Sequence, residues 1–204
     1  ELIRLDPSYR VYWSDGPVDI PANYNALKNL FDTIEPGAGH QLDLFLAEAA
    51  YKYEVGINKL VHKPGQSVTE FLDWELFKGV FKLDVFNSIK KHVAKHFKNP
   101  KLRELMEFPV LFLGALPEHT PALYSLMNYS AFSQGTYYPM GGFHEIIIGL
   151  SKLAKEKGVI INCDSNVDRL NVVNGKVENI VVNGEELFFD GVIASADYHH
   201  VEQK

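Results

Sequence analysis

The order of elements in residues 135–196 constrains the fold of this chain more than any other feature of the sequence. A Tyr-Tyr-Pro-Met-Gly-Gly segment is followed by a helical pattern over 142–157, in which apolar residues recur at helical spacing. Continuous apolar runs lie at 159–161 and 192–196. Such runs are typical of parallel strands that are buried on both faces. This order therefore predicts an α/β unit with two buried parallel strands.

Two Asn-Gly pairs divide the sequence between those two apolar runs. They lie at 174–175 and 183–184, and strand-like segments flank each pair. Asn-Gly is the preferred sequence for a two-residue type I′ hairpin turn, because both residues adopt positive φ. The spacing predicts a three-stranded antiparallel meander over 167–190.

The first two thirds of the chain have a mostly helical pattern. Short strands are predicted at 3–5 and 9–14. Helices are predicted at 22–34, 39–61, 67–77, 85–97, 101–108 and 121–132. We therefore predict an α+β or α/β chain with a mostly helical domain over 1–134 and a second domain over 135–204.

Composition excludes several classes of function. The formal net charge of −6 argues against nucleic acid as a general partner, because phosphate binding needs a basic surface. The single cysteine, Cys163, excludes an internal disulfide and fits a reducing cytoplasm. No apolar run approaches the roughly 20 residues of a membrane-spanning helix. We therefore expect a protein that does not span a membrane.

The aromatic content of 12% leaves two interpretations open. The aromatic side chains either fill a hydrophobic core or line a site for a large apolar ligand.

No familiar catalytic or metal-binding motif is present. The sequence has no G-x-S-x-G, no G-x-x-x-x-G-K-[ST] and no G-x-G-x-x-G. His92 and His96 share one helix face, but no nearby Cys, Asp or Glu is spaced to complete a zinc site. We therefore predict no metal site.

A basic run over 90–103 contains six Lys and Arg residues and no acidic residue. One interpretation is a solvated helix face. The other is an amphipathic surface that docks on an anionic membrane. The residues predicted to make that contact are Lys90, Lys91, Lys95 and Lys98.

Several segments together resemble one enzyme family over nearly the whole chain. The most specific are Gly-Ala-Leu-Pro at 114–117, Thr-Pro-Ala-Leu-Tyr at 120–124 and Gly-x-Tyr-Tyr-Pro-x-Gly-Gly at 135–142, with Leu-Asp-Pro-x-Tyr-Arg at 5–10. These segments resemble bacterial phytoene desaturases and related carotenoid desaturases, flavoproteins of the amine-oxidase-like superfamily. Because the N-terminal dinucleotide fingerprint is absent, the resemblance implies an internal fragment. That fragment would hold a substrate domain and part of the flavin-domain sheet.

The resemblance also implies cofactor and substrate contacts. FAD would bind the full-length protein, with Val167 lying under the adenine. The segment that ends in Gly141 and Gly142 would lie near the isoalloxazine end or the substrate tunnel. The residues implied for the tunnel are Tyr137, Tyr138, Pro139 and Met140.

The function implied is FAD-dependent desaturation of an apolar, carotenoid-type polyene. The enzyme would be cytoplasmic and peripheral on the inner face of the membrane. The fragment alone would be inactive and would not hold FAD stoichiometrically. The alternatives are another flavin enzyme of this superfamily (an amine oxidase, polyene isomerase or saturase) and a non-catalytic binder of apolar ligands.

Overall fold

The computed structural model describes residues 1–62 and 83–203, and the chain divides into two compact units, Glu1–Glu145 and Ile146–Lys204. The helix predicted at 67–77 lies outside the described residues. The division falls after the predicted domain boundary at 134/135. The assignment of a substrate domain and a flavin domain stays a prediction.

The described residues of the first unit include four short strands. They are β1 (Leu2–Arg4), β2 (Tyr9–Trp13), β3 (Gly16–Ile20) and β4 (Tyr137–Pro139). β2 and β3 form an antiparallel hairpin, whereas β1 pairs antiparallel with β4. Neither β3 nor β4 was predicted from the sequence. The β1–β4 ladder joins the two ends of the unit, which is why residues 137–139 belong with the N-terminal strands.

Helices form the body of the first unit. They are α1 (Tyr24–Ile34), α2 (Ala38–Val55), α3 (Ile89–His96), α4 (Pro100–Glu107) and α5 (Leu126–Tyr129). A π-helix at Gly56–Leu60 extends α2, and 3₁₀ helices lie at Phe108–Leu113 and Ala122–Ser125. A second π-helix, Ser130–Gln134, follows α5.

Capping residues explain where these helices begin. The side chain of Asn23 accepts a hydrogen bond from the Ala26 amide at the start of α1. Ser88 does the same for the Lys91 amide at the start of α3. An N-cap residue has extended backbone dihedrals, so the helix predicted from residue 85 begins only after Ser88.

The core of this unit lies between α1, α2, α3 and α4. Its fully buried side chains include Leu27, Phe31, Leu42, Phe45, Ile89, Val93, Phe97, Leu102 and Met106. Other phenylalanines stay exposed: Phe86, Phe112, Phe143, Phe188 and Phe189. The aromatic residues therefore supply both a packed core and apolar surface.

The second unit contains most of α6 (His144–Glu156), then β5 (Val167–Val173), β6 (Lys176–Val182), β7 (Glu185–Leu187) and α7 (Tyr198–Gln203). The sheet order is β5-β6-β7 and both pairs are antiparallel. Asn174, Gly175, Asn183 and Gly184 all have positive φ, as type I′ turns require. The predicted meander is confirmed, with β7 shorter than expected.

The two predicted buried strands are wrong. Residues 159–161 and 192–196 adopt no strand, and their side chains are exposed, with Ile160 83% and Ile193 97% accessible. A strand exists only where a neighbour completes its hydrogen bonds, and no described strand lies beside either run. None of the helices in the described part of the chain is long and apolar enough to cross a membrane.

Candidate functional site

The segment implied for the tunnel forms β4 and the turn after it. Tyr137 and Tyr138 pair with Arg4 and Ile3, which places them at the end of the β1–β4 sheet. Tyr137, Tyr138 and Met140 are 40–53% exposed, whereas Pro139 is buried. The Tyr138 ring packs edge-on against Phe143, with centroids 5.2 Å apart. These residues form an exposed aromatic surface of the first unit.

Gly141 and Gly142 make the turn between β4 and α6. Their φ angles are +91° and +100°, a region that side chains rarely adopt. A Cβ on Gly141 would lie 2.9 Å from Cγ of Glu145. The Gly142 amide donates to the Pro139 carbonyl at 3.0 Å. The turn geometry by itself therefore requires this glycine pair, and a flavin contact here stays a prediction.

The Arg4 side chain of β1 lies against Gly135, two residues before β4. A Cβ on Gly135 would lie 2.6 Å from Arg4 Nε, so the guanidinium covers this glycine. Arg4 Nη2 also donates to the Ala22 carbonyl at 3.2 Å. This contact orients the chain where it enters β4.

Val167 begins β5 in the second unit. It pairs with Val182 and is 49% exposed, and β6 is the only described partner of β5. On the edge of β5 that faces away from β6, no described strand pairs with the backbone N–H and C=O groups. These groups are of the kind that the adenine contact would need. The sequence has no glycine-rich turn to hold a pyrophosphate. These residues therefore fit part of a flavin site and not the whole of one.

The predicted basic contact surface faces solvent. Lys90, Lys91, Lys95 and Lys98 are all exposed, whereas Ile89 and Val93 on the opposite face of α3 are buried. Lys90 lies 3.6 Å from the half-exposed Glu118 carboxylate. This placement agrees with both a solvated face and a docking surface.

An exposed apolar ridge lies in the segment just before a hydrogen bond to the start of α3. The Lys90 amide donates to the Pro117 carbonyl at 3.2 Å, which joins α3 to the segment after the first 3₁₀ helix. The ridge residues are Leu111, Phe112, Leu113 and Leu116, and they are 46–75% exposed. The sequence predicted no exposed ridge here, although residues 114–117 contribute to the family resemblance.

An aromatic groove of about 500 Å³ opens between β2 and α4. Its walls include Tyr9, Val11, Trp13, Phe108 and Phe112. Burial raises the pKa of the Tyr9 phenol, and its hydroxyl has no hydrogen-bond partner among the described residues. Trp13 Nε1 donates to Glu104 at the rim at 2.8 Å. The groove joins segments about ninety residues apart in sequence, so spacing could not indicate it.

A buried lysine lies between α2 and α3. Lys52 is 1% exposed, and its Nζ donates at 3.2 Å to both the Ala122 carbonyl and Ser125 Oγ. His92 Nε2 lies 3.4 Å from the same Nζ. Burial lowers the pKa of Lys52. Burial first, and the Lys52 charge second, lower the pKa of His92 to about 3, so this imidazole is neutral at pH 7.

Two carboxylates complete what we call the α2–α3 polar cluster: Glu48, Lys52, Asp84, His92 and His96. Asp84 Oδ2 lies 3.4 Å from His92 Nδ1. Glu48 lies 3.7 Å from His92 Nε2 and 4.0 Å from His96 Nε2. The sequence indicated the two histidines but no carboxylate near them, and that premise was wrong. Glu48 comes from a different helix, so sequence spacing carries no signal for it.

Comparison with known proteins identifies relatives over the whole chain. The profile described as flavin containing amine oxidoreductase matches residues 2–204. The chain is 32% identical to the carotenoid 3,4-desaturase of Haloarcula japonica, covering 100% of this chain and 42% of that protein. It is 27% identical to the zeta-carotene-forming phytoene desaturase of Myxococcus xanthus, covering 100% of this chain and 40% of that protein. It is 30% identical to the phytoene desaturase of Neurospora crassa, covering 97% of this chain and 35% of that protein. The chain thus spans about two fifths of the length of these relatives.

Proposed function

The chain belongs to the flavin-containing amine oxidoreductase family, and from this premise we propose that its full-length protein is a FAD-dependent desaturase of carotenoid-type polyenes. The observation that carries the proposal is similarity to carotenoid and phytoene desaturases along the entire chain, through both units. The similarity is therefore not confined to a general flavin-binding segment.

The surfaces of the first unit suit an apolar substrate. A polyene offers no polar group for recognition, so its binding site must be apolar and elongated. The aromatic surface at Tyr137 and Tyr138 and the groove lined by Tyr9, Trp13 and Phe108 have this character. When bound, FAD supplies the redox chemistry. The residues of this chain are then required to bind the polyene and keep water away from it.

Cofactor contacts from this chain are few in the proposal. The open edge of β5 at Val167 contacts the adenine, and the Gly141–Gly142 turn allows close approach of the isoalloxazine end or of the polyene. Because the chain has no pyrophosphate-binding turn, it does not hold FAD stoichiometrically by itself. Segments outside this chain supply most of the FAD site.

We also propose that the first unit docks on an anionic membrane, where the polyene dissolves. The support is the joining of two surfaces: the basic face at Lys90, Lys91, Lys95 and Lys98, and the exposed ridge at Leu111–Leu113. Basic residues attract anionic lipid, and apolar side chains beside them enter the interface. On this proposal the enzyme is peripheral on the cytoplasmic face of the membrane.

The activity is tested with full-length, FAD-loaded protein, phytoene-type polyenes and liposomes. Desaturation extends the conjugated system, so the absorbance of the polyene should move to longer wavelength. Protein stripped of flavin is the control. Failure to shift any of several polyenes, with FAD bound, would exclude this substrate class. Oxidation of amines without any change in polyenes would instead support an amine oxidase.

A further inference from the structure

We propose that Glu48, His92 and His96 bind a divalent transition-metal ion of the zinc class between α2 and α3. The proposal does not depend on the desaturase function, because no part of the site lies in the surfaces assigned to polyene or flavin.

The backbone brings three ligand types to one point. His92 and His96 are one turn apart on the same face of α3, with ring centroids 5.3 Å apart. α2 supplies Glu48 opposite them, and the three potential ligand atoms all lie within 4.8 Å of one another. Two imidazoles and one carboxylate are a common protein ligand set for zinc, with a fourth position left for water.

Small side-chain movements would complete the geometry. Tetrahedral bonds of about 2.0–2.1 Å place ligand atoms roughly 3.3 Å apart. One carboxylate oxygen of Glu48 lies 3.7 Å from His92 Nε2 and the other lies 4.0 Å from His96 Nε2, so each of these two distances needs to shorten by less than about 1 Å. The three ligand atoms are all within 4.8 Å of one another, so the largest shortening that any pair needs is about 1.5 Å. The Glu48 side chain is 54% exposed, which leaves it free to turn inward and gives the ion an entry path.

Asp84 orients the imidazole of His92. Its Oδ2 lies 3.4 Å from His92 Nδ1, whereas Glu48 approaches the other ring nitrogen, Nε2. A carboxylate on the second nitrogen of a metal-binding histidine sets its tautomer and its orientation. With the proton on Nδ1, the lone pair of Nε2 points toward Glu48 and Lys52.

Lys52 competes with a metal ion for the Nε2 atom of His92. Its Nζ lies 3.4 Å from His92 Nε2, the nitrogen that would bind the ion. Lys52 also donates to Ala122 and Ser125, so it stays anchored without His92. The two carboxylates of the cluster offset the charge of Lys52 and part of the charge of the ion. Lys52 is therefore expected to weaken metal binding without preventing it.

The test titrates chelator-treated full-length protein with Zn²⁺ by calorimetry and with Co²⁺ by visible absorption. We expect one equivalent of Zn²⁺ and the d–d bands of four-coordinate Co²⁺. Glu48→Gln and His96→Ala should each weaken Zn²⁺ binding by at least about 100-fold, since loss of an outer partner alone costs about 10–100-fold. Glu54→Gln and His119→Ala, which change exposed residues outside the cluster, are the matched controls.

Two further variants separate the metal site from a purely hydrogen-bonded cluster. Asp84→Asn should weaken Zn²⁺ binding about 10–100-fold, and Lys52→Met should tighten it. Because Glu48 is half-exposed, Glu48→Gln is expected to fold, and its thermal unfolding checks this. Absence of stoichiometric binding would overturn the proposal and make Lys52 the resident cation. Binding that is the same in parent, Glu48→Gln and His96→Ala would overturn it as well.

Discussion

Asp43 connects α1 to α2 through two side-chain contacts. Its carboxylate accepts from the Tyr24 hydroxyl at 2.8 Å and from Lys28 Nζ at 2.6 Å. The hydrogen bond from Lys28, then that from Tyr24, lower the pKa of Asp43 below its usual 3.8. A carboxyl group with a lowered pKa in the folded state stabilises the fold above its unfolded-state pKa. That stabilisation is lost as the pH falls through the folded-state value.

We expect Asp43→Asn to reduce the free energy of unfolding by about 1 kcal/mol at neutral pH, since both charged partners are about one third exposed. The difference from the parent should begin to shrink below about pH 4, where Asp43 of the unfolded parent becomes protonated, and should be lost once the folded-state carboxyl group is protonated as well. Urea unfolding at neutral pH and below about pH 4 measures this difference in the free energy of unfolding. Asp190→Asn, at an exposed carboxylate, is the control. An equal difference at both pH values would contradict the role of the charge.

Gly135 combines a strained backbone with a close neighbour. Its φ is +96° and ψ 171°, a region that is essentially restricted to glycine. Gly175 is the comparison, because its φ is also positive, +74°, but a Cβ there would have no atom within 4 Å. Gly175→Ala is therefore expected to cost about 1–2 kcal/mol in unfolding free energy from the backbone alone. Gly135→Ala should cost more, because its Cβ also displaces Arg4.

An Arg4→Ala background isolates the steric part of that cost. Thermal unfolding of the four combinations gives the coupling between positions 4 and 135. We expect Gly135→Ala to be less destabilising without Arg4. The same cost in both backgrounds would show that the backbone conformation accounts for all of it.

At the scale of elements, one carboxylate joins three helices. Glu35, just after α1, accepts from the Lys98 amide at 2.9 Å and from the Asn99 amide at 2.7 Å, between α3 and α4. Backbone amides at such a junction have no helical partner of their own. Asn99 in turn caps α4 by accepting from the Lys101 amide. The contact therefore fixes where α3 ends and α4 begins.

We expect Glu35→Ala to lower the free energy of unfolding by about 1–3 kcal/mol, since hydrogen bonds to a charged group are lost and two amides are left unpaired. Glu35→Gln should cost less, because an amide oxygen still accepts. Chemical denaturation compares both with Glu54→Ala, which removes an exposed carboxylate of α2. If Glu35→Ala is no more destabilising than Glu54→Ala, the junction does not depend on this side chain.

At the scale of the whole molecule, charge is distributed unevenly. The net charge is −6, yet four lysines face solvent together on α3 and the following residues. Reversing Lys90, Lys91, Lys95 and Lys98 to Glu in the full-length protein should strongly weaken binding to anionic liposomes. Each basic residue near such a surface contributes about 1 kcal/mol. Raised salt should weaken the parent in the same way.

The matched control reverses lysines elsewhere. Lys152→Glu, Lys155→Glu and Lys157→Glu change exposed positions of the second unit and should leave liposome binding nearly unchanged. Phe112→Ser tests the apolar ridge separately. Binding that resists both salt and reversal of the α3 lysines, yet falls with Phe112→Ser, would assign docking to the ridge. If the parent does not bind liposomes, the four lysines of α3 and the following residues form only a solvated face.

Local chemistry determined much of this structure. Helices were predictable because their capping and apolar spacing lie within a few residues, as with Asn23 before α1. The meander was predictable because Asn-Gly turns need only two residues at positive φ. Family membership followed from short segments such as 135–142 for the same reason: each is a local pattern of residues.

Tertiary structure decided what depends on distant partners. β1 pairs with β4, more than a hundred residues away, whereas the apolar runs at 159–161 and 192–196 form no strand. Apolar sequence permits a strand, but hydrogen bonds from a neighbour make one. The α2–α3 polar cluster follows the same rule. The spacing of His92 and His96 is local, but Glu48 and Lys52 join them only because two helices pack together.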